Sequence, residues 1–253
     1  MKKLWGILSA GLLTLGFVTE INAQAIDEDP TVNPVVSAQA TADGYDVILL
    51  AGQSNMAGRA TASSPDADAA TNPRIFMWHP ISGIVPAQDP LVHQEPRKTN
   101  ADGSFTFIAG PGLTFAKEYI KTIPSNRKVL LVGAVYGGTG FMPDVTASTQ
   151  RWNFTLKKFE SVTNLHHRWM PTDDPATGGD LYRGAIRRAN EAMTAAGLNA
   201  RFVGILWHQG ENDAVYDGAD TYATNHGNLI NALRSNITGA DSRTPVVVGE
   251  FNP

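Results

Sequence analysis

A serine follows the first apolar run of the sequence in a pattern typical of a nucleophile. The run 47–50 ends at Gly52, and Gln53, Ser54 and Asn55 come next. A serine between a buried strand and a helix lies at the carboxyl edge of the sheet, where backbone N–H groups can face a developing oxyanion. The alternative is that Ser54 merely caps the helix that begins there, as serines commonly do. Ser54 is therefore a candidate nucleophile for acyl transfer.

A glycine-rich block follows a second apolar run. Gly137, Gly138, Thr139 and Gly140 come directly after the run 129–135 and Tyr136. Glycines at such a point let backbone N–H groups approach a ligand oxygen closely, as an oxyanion hole requires. A tight loop with left-handed residues would need the same glycines. The position at a strand end favours the first interpretation.

A polar block follows a third apolar run. The sequence HQGEND at 208–213 comes after the run 202–207 and contains Gln209, Glu211 and Asp213. Two acids, an amide and a histidine at one strand end form a candidate catalytic cluster, although acids and amides are also common where helices begin. We expect this block to face the other two.

The elements that must position these blocks alternate between strand and helix. Short apolar runs of the kind found in strands buried on both faces occur at 47–50, 129–135, 202–207 and 246–248. Helical patterns occur near 113–120, 181–193 and 222–237, the second with a plausible stop at Gly197. This order predicts an α/β fold, a three-layer α/β/α sandwich with a mainly parallel sheet. Ligands of such sheets bind at the carboxyl ends of the strands.

The interval 141–180 is long for a connection and carries Trp152, Trp169, His166 and His167. Both tryptophans are predicted to be packing residues, because buried aromatic side chains are commoner than sugar platforms. The side chains of the adjacent histidines diverge on any regular element, so we expect no shared metal ion.

Composition restricts the class of protein. With 253 residues, 42% hydrophobic and 17% charged, the chain can bury the core of one substantial domain. The absence of cysteine excludes disulfides and thiolate chemistry. A net charge of −4 argues against nucleic acid or an anionic membrane as a partner.

The beginning of the sequence has the order of a secretory signal. Lys2 and Lys3 precede an apolar stretch at 4–18, and Ala23 and Ala25 supply the small residues of a cleavage site. We predict a signal peptide at 1–25, a flexible leader at 26–44 and one domain at 45–253. The mature protein is expected to be secreted or periplasmic, with no membrane attachment after cleavage.

The motifs together resemble a known family. GQSNM at 52–56, GPG-x-x-FA at 110–116, GGT at 137–139 and WHQGE-x-D at 207–213 occur in this order. This set resembles the sialate O-acetylesterase and carbohydrate esterase family 6 branch of the SGNH hydrolases, over about residues 46–251. The resemblance implies a serine esterase that removes O-acetyl groups from carbohydrates without a metal or organic cofactor.

The resemblance also assigns roles to residues. It implies that Ser54 is the nucleophile and that the oxyanion is bound by the Ser54 amide, the amide of Gly138 (with Gly137 as second choice) and Gln209. The acid that orients the histidine is either Glu211, which we favour slightly, or the aspartate of an Asp-x-x-His motif. His208 is expected to belong to the scaffold around Gln209.

The catalytic histidine of the family lies in that Asp-x-x-His motif, beyond the strand that corresponds to 244–251. No such pattern follows Glu211 in this sequence. His79, His93 and His226 do not occupy the corresponding place. We therefore expect the domain to be truncated before the motif and the 253-residue chain to hydrolyse acetyl esters poorly.

Other functions remain open from the sequence. The substrate can be acetylated xylan or an acetylated sialic acid, and the oligomeric state is not specified. A non-catalytic carbohydrate-binding protein could keep the same fold and pocket, but it would not need the nucleophile and oxyanion blocks. An SGNH esterase or thioesterase acting on lipids would be expected to carry an apolar lid, which the sequence lacks.

Overall fold

The computed structural model describes residues 43–59, 71–95, 109–141, 149–153, 156–162, 168–173, 179–215 and 218–250. All of them lie in one compact unit, Ser37–Pro253. The predicted signal peptide, the leader up to residue 42, His166 and His167 lie outside the described residues, and so does the side chain of Trp152.

The described part of the chain contains eight strands and five helices. In chain order they are β1 (Gly44–Gly52), α1 (Ser54–Ala57), β2 (Ile75–His79), β3 (Gly83–Pro86), α2 (Pro111–Tyr119), β4 (Arg127–Val135), β5 (Thr149–Asn153), β6 (Lys158–Val162), α3 (Asp180–Ala196), β7 (Arg201–His208), α4 (Glu211–Val215), α5 (Ala219–Asn236) and β8 (Val246–Val248).

Six of these strands form the main sheet, in the order β3-β2-β4-β1-β7-β8. Every neighbouring pair is parallel except β2 and β3, which form an antiparallel hairpin. The central strand is β1, and its last residue, Gly52, lies opposite Val135 of β4 and His208 of β7. The carboxyl ends of three adjacent strands therefore meet at one edge.

The alternation of β1 side chains explains the three layers. Val47 and Leu49 point into a core shared with α3 and α5, whereas Ile48 and Leu50 point into a second core shared with α1 and α2. All four are at most 2% exposed. Because both faces are covered by helices, β1 is uniformly apolar from Val47 to Ala51 instead of alternating with polar residues. The predicted three-layer sandwich with a mainly parallel sheet is confirmed.

The opposite edge of the sheet is held by a buried carboxylate. Asp46 Oδ1 accepts from Arg127 Nε at 2.7 Å and from Arg201 Nε at 2.6 Å, and Asp46 Oδ2 accepts from Tyr119 at 2.8 Å. Burial alone would raise the pKa of Asp46, but the hydrogen bonds from Arg201, Arg127 and Tyr119 hold it below its usual value. These contacts tie β1, β4, β7 and α2 together at the edge away from the strand ends described above.

The structure adds elements that the sequence patterns did not predict. The hairpin of β2 and β3 extends the sheet, and β5 pairs with β6 inside the long connection 141–180. Strand β1 begins at Gly44, one residue before the predicted domain start. Trp169 is fully buried, which confirms its packing role.

Strand β8 is an outermost strand of the sheet, paired only with β7 among the described strands, and it has only three residues. Val247 and Val248 are 51% and 48% exposed. The apolar run 246–248 is thus a short edge strand with an exposed face. No helix within the described ranges is both long and apolar enough to cross a membrane.

Candidate active site

The three sequence blocks meet at the carboxyl ends of β1, β4 and β7. The N–H of Gln53 donates to the His208 carbonyl at 2.9 Å, and the N–H of Tyr136 donates to the Gly52 carbonyl at 3.3 Å. The serine block, the glycine block and the HQGEND block are therefore neighbours in space, because their strands are neighbours in the sheet. This edge is where parallel sheets bind their ligands.

Ser54 is the first residue of α1, and it is partly buried. The N-cap position belongs to Gln53 and no side chain caps the helix, so the alternative in which Ser54 serves as a helix cap is wrong. Among the described residues, neither the Ser54 hydroxyl nor its N–H has a hydrogen-bond partner. Both groups are thus available to a substrate.

Hydrogen bonding distinguishes the two candidate oxyanion donors in the loop Gly137–Phe141, called the glycine loop below. The Gly137 N–H donates to Glu95 Oε2 at 3.0 Å, whereas the Gly138 N–H has no acceptor within the described part of the chain. Gly138 has a φ of 70°, a left-handed conformation that residues with a Cβ rarely adopt. This geometry favours Gly138, the first choice of the sequence analysis, over Gly137.

Glu95 anchors this loop and was missed by the sequence analysis. Besides Gly137, the carboxylate contacts Arg59 Nη2 at 3.2 Å, and Arg59 Nη1 donates to the Gly58 carbonyl at 3.0 Å. Glu95 thereby joins the glycine loop to the segment that follows α1. No recognised motif contains Glu95, so only the three-dimensional contact reveals its role.

Gln209 is almost fully buried, and its amide nitrogen is already engaged. Nε2 donates to the Thr139 carbonyl at 3.0 Å and to Asp213 Oδ2 at 2.7 Å. Reversing the amide would set its oxygen against two acceptors, so this orientation is the favourable one. Both N–H groups are used, and donation to an oxyanion would require the amide to release one of them. The oxyanion role of Gln209 stays a prediction.

Glu211, the first residue of α4, joins the polar block to the serine block. Its Oε1 accepts from Asn55 Nδ2 at 2.6 Å and lies 3.9 Å from His208 Nδ1. Its Oε2 is buried and has no hydrogen-bond partner in the described ranges. The carboxylate therefore lies beside the residue that follows Ser54, and one oxygen can still accept a hydrogen bond.

The remaining described histidines pack or stabilise turns. The ring of His93 is buried against Gly133. His79 Nδ1 accepts backbone N–H groups from the turn that follows it, and His226 lies in α5 with its ring stacked on Tyr222. Within the described residues, no group of three histidines or acids could hold a metal ion.

The chain matches a known protein family and a relative with a named activity. A model of the family described as carbohydrate esterase, sialic acid-specific acetylesterase, matches residues 44–252. The probable 9-O-acetyl-N-acetylneuraminic acid deacetylase of Escherichia coli (strain K12) is 27% identical over 215 residues, which cover 77% of this chain and 61% of that protein. The chain thus spans less than two thirds of this relative.

Two solved structures share the fold. The crystal structure of NanS superimposes with a TM-score of 0.60 at 22% identity, covering 82% of this chain and 68% of that one. A protein from Arabidopsis thaliana gives a TM-score of 0.56 at 21% identity, covering 81% of this chain and 73% of that one. At these identities the likeness concerns the fold.

Proposed function

Since the chain belongs to the carbohydrate esterase family of sialic acid-specific acetylesterases, we propose that it removes O-acetyl groups from carbohydrates, with Ser54 as the nucleophile. One observation carries the proposal. Ser54 and Gly138 lie on adjacent strand ends, and their N–H groups have no acceptors among the described residues. Ester hydrolysis through an acyl-enzyme requires a serine hydroxyl together with such backbone donors for the oxyanion.

The reaction proceeds in two steps. The Ser54 oxygen attacks the acetyl carbonyl carbon, its proton passes to a general base, and the oxyanion is held by the amides of Ser54 and Gly138. The sugar hydroxyl leaves with a proton, and water then cleaves the acetyl-serine ester to release acetate. The resemblance assigns the base to a histidine of an Asp-x-x-His motif. The buried Oε2 of Glu211 is suited to accept the N–H of an imidazole.

The preferred substrate is an O-acetylated sialic acid, and acetylated xylan is the second candidate. The relative from Escherichia coli is named for 9-O-acetyl-N-acetylneuraminic acid. Export through the signal at 1–25 would bring the enzyme to glycans outside the cytoplasm.

The test compares Ser54→Ala with its parent in acetate release from 9-O-acetyl-N-acetylneuraminic acid and from acetylated xylan, using the full-length gene product. We expect kcat to fall by about 10³-fold or more, because the acyl-enzyme can no longer form. Ser82→Ala, at an exposed turn serine, is the matched control and should leave kcat unchanged.

The same assay tests whether His208 is the general base. His208→Gln should lower kcat far less than Ser54→Ala. The His208 ring is packed against Gly249, and its Nδ1 is 3.9 Å from Glu211, which is too far for the hydrogen bond that would orient a catalytic base. An equal loss in both variants would identify His208 as the base. Undiminished acetate release by Ser54→Ala would rule out the proposed nucleophile.

A further inference from the structure

Asp213 is a buried acid in the first turn of α4, only 1% exposed. Its Oδ1 accepts the N–H of Phe141 at 2.9 Å, and its Oδ2 accepts Gln209 Nε2 at 2.7 Å. Phe141 ends the glycine loop that begins at Gly137. One carboxylate therefore joins the loop after β4 to the segment after β7.

The space around this carboxylate is closed. A Cβ on Gly140 would lie 2.5 Å from Asp213 Oδ2, a distance that side chains do not show. The glycine is therefore required for the backbone to approach the acid. The contact is close enough to set the position of the last residues of the loop.

Two further contacts hold the same end of the loop. Arg168 Nε donates to the Phe141 carbonyl at 2.9 Å, and Arg168 also interacts electrostatically with Asp213. The indole N–H of Trp169 donates to Thr139 Oγ1 at 3.3 Å. The guanidinium of Arg168 and the indole of Trp169 therefore hold the same end of the loop as Asp213 does.

The other end of the loop is held separately, by the hydrogen bond from the Gly137 N–H to Glu95 Oε2. Gly138 lies between the two anchored ends and keeps its N–H without an acceptor among the described residues. An oxyanion donor is effective only when its position is fixed before the reaction, since reorganisation at the transition state costs rate.

We propose that Asp213 is a positioning residue that fixes the Gly137–Phe141 loop, so that the Gly138 N–H is held ready for the oxyanion. Asp213 does not touch the substrate and acts through Phe141 and Gln209. The catalytic part of this inference depends on the proposed esterase function, whereas its structural part does not.

The first experiment measures the loop directly, without substrate. In Asp213→Asn an NH2 group replaces one carboxylate oxygen, and in either orientation of the amide this donor faces the N–H group of Phe141 or that of Gln209. We expect hydrogen exchange at the Phe141 amide to be accelerated by about tenfold or more, while exchange in the β1 amides is unchanged. Asp220→Asn, at an exposed acid of α5, is the matched control and should leave both rates unchanged.

The second experiment measures acetate release by the same variants. A misplaced donor weakens binding of the transition state only, so kcat should fall by about 10- to 100-fold in Asp213→Asn with KM changed less than about threefold. Gly140→Ala keeps the carboxylate but displaces the contact, and should produce the same signature. It also keeps the test decisive if Asp213→Asn does not fold.

The outcomes separate the two proposals. Unaltered Phe141 exchange in both variants would overturn the positioning role, and so would faster exchange with an unchanged kcat. A rise in KM without a loss of kcat would make Asp213 part of substrate binding and overturn it too. If the parent, produced from the full-length gene as in the Ser54→Ala test, releases no acetate while the exchange results hold, the esterase function fails and the structural anchoring of the loop stands.

Discussion

Glu211 and Asp213 are two residues apart in the sequence, but the structure gives them different surroundings. Glu211 is partly exposed and contacts Asn55 beside the candidate nucleophile, whereas Asp213 is buried and contacts the backbone of the glycine loop. The sequence motif contains both acids and does not distinguish them. Only the direction of each side chain at the start of α4 separates a candidate triad acid from a positioning residue.

His226 is the residue from which a pH effect on stability follows. Burial lowers the pKa of His226 below its ordinary value of about 6.5, and its Nε2 has no hydrogen-bond partner in the described ranges. The unfolded chain therefore binds a proton more readily than the folded protein. Stability should fall as the pH drops below about 6.5, and the loss is complete below the folded pKa.

Thermal unfolding between pH 7.5 and 5 checks this prediction. We expect the Tm of the parent to decrease more on acidification than the Tm of His226→Gln, in which no group titrates at this position. The comparison cancels the contribution of carboxylates, which both proteins share. Identical pH dependence in the two proteins would contradict it.

At the level of elements, the apolar runs predicted β1, β4, β7 and β8 because parallel strands covered on both faces leave an uninterrupted hydrophobic signature. The helices α2, α3 and α5 were predicted by their periodic apolar stripes. The three chemical blocks were located because each directly follows one of these strands.

The missed elements lack such signatures. In the β2–β3 hairpin, β3 is an edge strand of four residues that ends in Pro86, so it carries little hydrophobic pattern. The β5–β6 hairpin lies apart from the main sheet, and its strands contain many polar residues. Glu95 and Asp213 acquire their roles through contacts with residues 42 and 72 positions away. Local patterns do not contain contacts of this range.

The buried cluster around Asp46 allows a prediction about the stability of the protein when the Asp46 charge is removed. Asp46→Asn leaves the buried guanidinium of Arg127 without its ionic partner, so we expect the free energy of unfolding to fall by about 3–5 kcal/mol. Chemical denaturation measures the loss, and Asp43→Asn, at an exposed position just before β1, should change it by less than about 0.5 kcal/mol. A loss no larger than that of the control would show that the cluster does not stabilise the sheet.

For the whole molecule, the sequence predicts export and cleavage of the first 23 or 25 residues. Mass spectrometry of the protein recovered from the periplasm or medium of an expressing bacterium should identify an amino terminus at Gln24 or Ile26. Replacing Leu12 and Leu13 with arginine interrupts the apolar stretch and should keep the protein in the cytoplasm with residues 1–25 attached. Export that survives this change, or a mature protein that keeps these residues, would contradict the prediction.

The central place of β1 has a consequence for synthesis. Its pairing with β7 joins residues that are far apart in the sequence. Asp46, for example, lies opposite Arg201, which comes 155 positions later. At roughly 5–20 residues per second, a ribosome needs on the order of 10 s to deliver β7 after β1 has emerged. Until β4, which begins at Arg127, has been made, the apolar strand β1 has neither of its neighbours, and until β7 follows it has only one. β1 therefore stays exposed during synthesis, and the same delay would favour the unfolded state that the predicted export through a secretion channel needs.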